Sequence, residues 1–277
     1  MFDEAVSVEV VRHFCRIASN RLGVGIGDNH RALVAGRVAK RMRALQVDQD
    51  EYVSRLNNDQ ECSEVVGFLD FLRPRPPRFF AGREDHLALH AALVHALGEG
   101  KRRIRLWSAG CGTGEEAFGM ALTALGALEA AKVALPEVDL KILATDISKV
   151  ALDRGKRGMF DEEQLRDVPR SLYRRYFSST GDGLTIDENV KDLVRFRRLN
   201  LTKLPYPMTG PMDAIFCHEA LAPLVRSARD RVAAAVKALL AEEGLLRSGF
   251  DEEALAAAEG TDEAFIQTSR PRHHGHC

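Results

Sequence analysis

The residues best suited to chemistry lie between Ile104 and Glu116, where an apolar strand leads into glycines at positions 110, 112 and 114 and then into two glutamates. Glycine lets the backbone approach a ligand closely or adopt a positive φ, and amides at the start of a helix can bind a carboxylate or a phosphate. The Gly-x-Gly-x-Gly spacing differs from the Gly-x-Gly-x-x-Gly of dinucleotide-binding enzymes, and two glutamates at a helix start would repel a pyrophosphate. We therefore expect a nucleotide-like cofactor that carries positive charge.

An acidic residue, Asp146, also ends the next apolar strand. A carboxylate there can accept hydrogen bonds from both vicinal hydroxyls of a ribose, and a turn or N-cap role shared with Ser148 is the ordinary alternative. Either Glu115 or Glu116 can pair with the ammonium group of an amino-acid-like cofactor, while the amides of the 110–114 loop bind its carboxylate. We assign the ammonium to Glu116, and these features fit S-adenosylmethionine better than NAD.

Alternating strand and helix patterns surround these residues and predict an α/β fold with a doubly wound, mostly parallel sheet. The predicted strands are 103–108, 140–146 and 212–217, and the predicted helices are 115–131, one from 148, and 225–242. A small antiparallel β insertion is expected at about 181–201, and a weaker strand pair near 244–249 and 264–268 closes the chain.

Apolar residues at spacings of three and four predict a small all-helical N-terminal domain over 1–72, before a Pro/Arg linker at 73–78 and a cofactor-binding domain at 79–277. The helix at 31–45 carries five basic residues and no acidic one. Its basic face is either simply solvated or a docking surface for an acidic or helical partner. The His-rich tail at 270–277 is expected to be disordered, and no metal site is predicted.

The composition excludes several function classes. Lys and Arg total 39 against 40 Asp and Glu, a net charge of −1 that gives no general reason to expect nucleic-acid binding. The five scattered cysteines have no Cys-x-x-Cys spacing and favour reduced thiols in a cytoplasm. The sequence contains no apolar run long enough for membrane insertion.

Longer motifs resemble the CheR family of chemotaxis-receptor glutamate O-methyltransferases, in the same order along nearly the whole chain. They lie at 107–118, 144–148, 158–160, 197–201 and 213–217, and the 31–45 helix with the following Tyr52 and Leu56 resembles the family's basic helix. The resemblance implies methyl transfer from S-adenosylmethionine to receptor glutamates, with receptor helices facing the basic helix. The turn from 177 to 184 is short, so no tethering of a receptor C-terminal pentapeptide is expected.

The resemblance also implies a set of cofactor-binding residues, with Asn200 and Leu201 on the adenine side. They are Ala109, Gly110, Gly112, Gly114, Glu116, Asp146, Ile147, Asn200, Leu201, Cys217 and His218. A glutamate acceptor is already ionised at neutral pH and needs no general base, so catalysis depends on positioning and on exclusion of water.

The chain departs from the family pattern on the acceptor side of the site. Thr-x-Asn-Glu-Thr-x-Phe-Phe-Arg is replaced by the stretch 73–81, which ends in Phe-Phe-Ala, and Arg-Asn after Cys217 is replaced by His218-Glu219. Arg78 or Arg83 would then have to replace the missing site arginine. The alternative hypothesis is a catalytically weak or inactive regulatory protein that binds the cofactor and acts through a partner.

Overall fold

A parallel sheet of five strands forms the centre of the structure, a computed structural model that describes residues 6–72, 77–181, 183–217 and 220–248. The strands are β1 Arg103–Ala109, β2 Asp139–Asp146, β6 Val194–Arg198, β7 Met212–Phe216 and β8 Leu240–Arg247, in the order β6-β2-β1-β7-β8. All four neighbouring pairs are parallel. The last six of seven residues in β1 are buried or half-buried, as expected for a central strand covered on both faces.

The helices that cover the sheet come from both halves of the chain. They are α1 Val8–Leu22, α2 Arg31–Leu45, α3 Gln49–Asn58, α4 Ser63–Leu72, α5 Arg83–Gly98, α6 Glu115–Ala130, α7 Lys149–Arg157, α8 Arg170–Tyr176, α9 Glu188–Lys191 and α10 Arg226–Lys237. The predicted fold class is therefore confirmed, with helices on both faces of a mostly parallel sheet.

A second, small antiparallel sheet consists of β3 Met159–Phe160, β4 Phe177–Thr180 and β5 Gly183–Ile186, in the order β3-β5-β4. The predicted boundaries of this insertion, 181–201, were wrong. The segment with Val194 and Phe196 pairs in parallel with β2 as an edge strand of the main sheet. The sequences of β5 and β6 both alternate apolar and polar residues. Such a pattern does not show which sheet a short strand joins.

The C-terminal elements also differ from the prediction. The helix predicted at 225–242 ends at Lys237, because Leu240 already begins β8, which pairs in parallel with β7. The predicted strand at 264–268, the tail at 270–277 and the linker residues 73–76 lie outside the described residues. Among the residues that the structure describes, no helix is long and apolar enough to cross a bilayer.

Two hydrophobic clusters lie on opposite faces of the sheet. Strand alternation sends Leu106 into a cluster with α5, α6 and the small sheet, and Trp107 into a cluster with the N-terminal helices and α10. Trp107 is fully buried, and its Nε1 donates a hydrogen bond to Thr145 Oγ1 at 2.9 Å. The helices of residues 6–72 therefore share a core with the sheet, and the division of the chain at 73–78 stays a prediction.

Candidate functional site

The glycine loop joins β1 to α6 at the carboxyl edge of the sheet. Gly110, Gly112 and Gly114 have φ values of +84°, +55° and +100°. A Cβ on Gly110 would lie 2.6 Å from the Cβ of Ala220, and one on Gly114 would lie 2.9 Å from Cζ of Phe196. Glycine is thus required here both by the left-handed backbone and by close packing of the neighbouring strand ends.

The loop amides donate hydrogen bonds inside the protein. The amides of Gly110 and Cys111 both donate to the carbonyl of Thr145, at 2.7 and 2.9 Å, and that of Gly112 donates to Asp146 Oδ2 at 2.9 Å. These bonds fasten the loop to the end of β2. The geometry therefore gives no support to the predicted binding of a cofactor carboxylate by these three amides.

Asp146 is the residue that ties the loop to the next helix. Its side chain is buried, and while Oδ2 holds the loop, Oδ1 accepts the amide of Ser148 at 2.8 Å. Ser148 is the N-cap of α7, since its Oγ accepts the amide of Ala151, and the same hydroxyl donates to Asp70 Oδ2 of α4 at 2.7 Å. The cap role thus belongs to Ser148. A carboxylate oxygen accepts more than one hydrogen bond, so the bonds of Asp146 are compatible with the predicted ribose role.

The two glutamates at the start of α6 have different environments. Glu115 is only 1% exposed and accepts hydrogen bonds from Thr113 Oγ1, at 2.6 and 2.8 Å, and from Gln164 Nε2. Glu116 is half-buried and accepts a hydrogen bond from Ser108 Oγ at 2.6 Å. Because Glu115 is enclosed between the loop and the 161–168 segment, Glu116 is the glutamate that a ligand can reach.

Cys217 follows β7 directly and lies near Glu116. Burial raises the pKa of the Cys217 thiol to about 12, and the negative charge of Glu116 contributes in the same direction. Burial also raises the pKa of the neighbouring Tyr206 to about 12. The structure therefore brings Ala109, Gly110, Glu116 and Cys217 together at the carboxyl ends of β1 and β7, whereas the predicted His218 lies outside the described residues.

The predicted adenine-side residues follow β6. Asn200 Nδ2 donates to the carbonyl of Arg21 at the end of α1, and its Oδ1 accepts from Thr202 Oγ1 at 2.8 Å. The partly buried side chains of Leu201 and Ile147 pack against the same hydrophobic cluster, the one that contains the N-terminal helices. The side chain of Asn200 thus connects this end of the site to α1, a contact that the sequence did not indicate.

The acceptor side begins with the Phe79-Phe80 pair. Phe79 is fully buried and meets the rings of Phe160 and Phe177 edge to face, at centroid distances of 4.9 and 5.5 Å. The ring of Phe80 lies 4.8 Å from the imidazole of His86. These contacts anchor the segment before α5 against the small sheet and fix the position of Ala81, which precedes the first turn of α5.

The two arginines predicted to replace the missing site cation have different surroundings. Arg78 Nη1 forms an ion pair with Asp167 Oδ2 at 3.0 Å, and Arg83 is exposed as the first residue of α5, where the helix dipole disfavours a cation. Sequence reasoning missed a third arginine, Arg247, the last residue of β8. Its Nε lies 2.9 Å from Asp85 Oδ1. Its signal in the sequence was an arginine within the strand predicted near 244–249.

Two of the three histidines of α5, His86 and His90, pack against α6. His86 is buried, its Nδ1 is 3.0 Å from Thr123 Oγ1, and its ring lies over Gly119 of α6. His90 lies over Gly126 in the same way. The burial of His86 follows from its contact with α6. Among the described residues, no group of three His, Cys, Asp or Glu side chains is placed to hold a metal ion.

The charges at the carboxyl ends of β1 and β2 indicate what the site can bind. Asp70, Glu115, Glu116 and Asp146 gather there, two of them buried and two half-buried. Such a concentration of carboxylates attracts an ammonium or a sulfonium and repels a pyrophosphate. The residues present therefore fit S-adenosylmethionine, which carries both an ammonium and a sulfonium.

Comparison with known proteins gives a consistent result over most of the chain. The model of the CheR methyltransferase SAM-binding domain matches residues 78–270. A chemotaxis protein methyltransferase of Salmonella typhimurium is 31% identical over 257 residues, which are 90% of this chain and 85% of that protein. Chemotaxis protein methyltransferase 2 of Pseudomonas aeruginosa is 31% identical over 83% of this chain and 81% of its own length, and the chemotaxis protein methyltransferase of Escherichia coli is 31% identical over 87% and 84%.

Proposed function

Because the chain belongs to the CheR methyltransferase family, whose members use S-adenosylmethionine, we propose that it methylates glutamate carboxylates of chemoreceptor proteins. The observation that carries the proposal is the accessible Glu116 beside a left-handed glycine loop that Asp146 fastens to the sheet. This arrangement offers a carboxylate to the amino group of the methyl donor. It also keeps the loop rigid, so that the donor is held in one position.

Each cofactor contact is assigned to a residue with suitable chemistry. Asp146 accepts the ribose hydroxyls, Glu116 accepts the ammonium, and the apolar side chains of Ile147 and Leu201 cover the adenine side, where Asn200 fixes the chain path. When bound, the cofactor supplies an activated methyl group on its sulfonium.

The protein's own contribution to the reaction is alignment and exclusion of water. The acceptor glutamate is ionised at neutral pH, since its reference pKa is about 4.3, and no proton has to be removed before it attacks. The half-buried ring of Phe80 offers an apolar surface on the acceptor side, which keeps water away from the reacting atoms, and the fully buried Phe79 anchors it. The absence of a base from the roles assigned here is therefore expected.

We assign receptor docking to helix α2. Its Lys40 and Arg43 are exposed, whereas Arg41 pairs with Glu64 at 2.8 Å and the guanidinium of Arg37 lies 5.7 Å from the ring centre of Phe71. Phe71 is 61% exposed and adds an apolar contact beside the basic face. Such a surface suits an acidic helix with some apolar residues.

The proposal also covers receptor tethering and the cellular location of the protein. The hairpin β4–β5 turns between Thr180 and Gly183, so we infer no tethering of a receptor C-terminal pentapeptide. We also place the protein in the cytoplasm, because its five scattered cysteines favour reduced thiols, and we expect no bound nucleic acid.

The proposal is tested by incubating the protein with methyl-labelled S-adenosylmethionine and cytoplasmic receptor fragments. We expect base-labile label on the fragments, and its loss when the acceptor glutamates are replaced. Binding of S-adenosylhomocysteine without any transfer would contradict methyl transfer and support the regulatory alternative.

Calorimetry with S-adenosylhomocysteine tests the cofactor assignment separately. Asp146→Ala should abolish binding, whereas Asp153→Asn, a change on α7 that weakens the ion pair with Lys156, should leave it unchanged. Undiminished binding by Asp146→Ala, or no binding by the unaltered protein at millimolar ligand, would contradict the assignment.

A further inference from the structure

Arg247 ends β8 at the carboxyl edge of the sheet, the edge that carries the cofactor site. It is in register with Phe216 of β7, and residues opposite each other in parallel strands direct their side chains to the same face. Phe216 belongs to the cluster under α5 and α6, so Arg247 points towards α5. Its carbonyl accepts the amide of Cys217 at 2.8 Å, and Cys217 lies beside Glu116. The backbone of Arg247 is therefore joined directly to the site.

Within the part of the chain that the structure describes, the guanidinium of Arg247 has one charged partner, Asp85. Its Nε lies 2.9 Å from Asp85 Oδ1, in the first turn of α5, and the Arg247 side chain is 37% exposed. Nε is nevertheless buried and makes no aligned hydrogen bond with any described acceptor, so the contact with Asp85 is an ion pair by distance alone. A guanidinium has five N–H donors in a rigid fork. The Asp85 carboxylate is not aligned with the Nε–H bond. Among the described residues, N–H donors of the guanidinium therefore remain available to a second carboxylate.

The surroundings of this ion pair favour recognition of an anion. The rings of Phe80 and Phe216 flank His86 at centroid distances of 4.8 and 5.4 Å, on the same α5 face as Arg247. Apolar walls lower the local dielectric and strengthen a charge-assisted hydrogen bond between arginine and carboxylate. The other two candidate arginines do not share this position, because Arg78 is bound to Asp167 and Arg83, the first residue of α5, is exposed to solvent.

We propose that Arg247 binds and orients the carboxylate of the methyl acceptor, with Asp85 as the positioning residue that keeps the guanidinium at the start of α5. The inference rests on the proposed transfer to glutamate and names the cation that this reaction uses. Arg247 would hold one carboxylate oxygen of the acceptor and leave the other to form the ester C–O bond, while the bond between the methyl group and sulfur breaks and S-adenosylhomocysteine leaves.

The test is a double-mutant cycle between Arg247 and the acceptor carboxylate. Receptor fragments with glutamate or glutamine at the acceptor positions are titrated into the protein saturated with S-adenosylhomocysteine, which requires no turnover. We expect the unaltered protein to prefer glutamate by about tenfold or more, in line with the strength of charge-assisted hydrogen bonds. Arg247→Ala should lose this preference while its affinity for S-adenosylhomocysteine stays within about twofold.

Two variants keep the test decisive. Arg247→Lys retains the charge without the fork and should give an intermediate preference, and Arg175→Ala, which removes an exposed ion pair with Glu129, should behave as the unaltered protein. A preference for glutamate that survives in Arg247→Ala and Arg247→Lys would overturn the proposal, as would an equal loss of affinity for both fragments. If the unaltered protein binds glutamate fragments selectively but never transfers a methyl group, the proposed enzymatic function fails and the role of Arg247 in carboxylate recognition stands.

Discussion

The cofactor side and the acceptor side of the site are built in different ways. On the cofactor side, the residues from Ser108 to Ser148 are tied to one another by hydrogen bonds at the ends of two neighbouring strands. On the acceptor side, Phe80 and Asp85 lie at or just before the start of α5, whereas Arg247 lies more than 160 residues later, at the end of β8. These residues meet only because β8 packs beside α5. A compact motif therefore specifies the donor site, and tertiary contacts specify the acceptor site.

Because the two sides are built differently, substitutions on them should have different effects. A change in the hydrogen-bonded loop strains the backbone and removes cofactor binding together with stability, because the same bonds serve both. A change on the acceptor side removes one side chain from a surface that other elements still hold in place. Substitutions on the two sides should therefore affect different measurements.

The largest effect is expected from Gly110→Ala, which attacks the loop. The new Cβ would lie 2.6 Å from the Cβ of Ala220 at a φ of +84°, so both packing and backbone are strained. We expect a loss of about 2–4 kcal/mol in the free energy of unfolding and no measurable binding of S-adenosylhomocysteine. Chemical denaturation and calorimetry measure the two quantities.

Two further variants separate the causes in this experiment. Adding Ala220→Gly to Gly110→Ala removes the clash but not the backbone strain, and should restore only part of the stability. Gly36→Ala, in an α2 position with no neighbouring atom within 4 Å, should be neutral or stabilising by about 0.5–1 kcal/mol. Normal cofactor binding by Gly110→Ala would contradict the importance of a tight loop.

A smaller effect is expected from removing the charge of Glu116 or of Glu115, and the two changes should affect different properties. Glu116→Gln should weaken S-adenosylhomocysteine binding by about tenfold, because it removes the charge opposite the ammonium, with little change in stability. Glu115→Gln should mainly lower stability, since it alters a buried acceptor of Thr113 and Gln164. Calorimetry and thermal unfolding of both proteins check this, and the reverse pattern would show that Glu115 is the ligand-binding residue.

A change outside both sides of the site should act on the receptor alone. Lys40→Glu combined with Arg43→Glu reverses the exposed charge of α2 and should raise the KM for receptor fragments several-fold, more strongly at low salt. The affinity for S-adenosylhomocysteine should not change. Lys132→Glu, a charge reversal after the far end of α6, is the matched control. An unchanged KM at low salt would contradict docking through α2.

The smallest effect concerns the buried thiol between the two sides. Burial raises the pKa of Cys217 from 9.0 to about 12, so between these values the unfolded protein loses the proton that the folded protein keeps. The folded state binds more protons there, and stability must fall as pH rises through this window. Urea unfolding between pH 8 and about 10.5 should show this slope, and Cys217→Ala should reduce it. Equal slopes in the two proteins would contradict the assignment.

The sequence predicted the strands of the cofactor side better than the parts of the fold that depend on distant contacts. The β1 and β2 patterns predicted their strands to within one residue at each end, and the resemblance to the CheR family is confirmed. The edge strand β6 was misplaced because alternation is the same in a parallel edge strand and in an antiparallel insertion. The burial of His86 could not be predicted, because nothing in its own segment shows that Gly119 of α6 makes room for its ring.

The sequence by itself determined the donor site, since glycines, glutamates and the strand-end aspartate act through contacts close along the chain or at neighbouring strand ends. Only the tertiary structure decided which glutamate is accessible and which arginine points at the acceptor side. The physical reason is distance along the chain. Gln164 encloses Glu115, Asp167 binds Arg78, and Asp85 holds Arg247 only after the chain has folded back on itself.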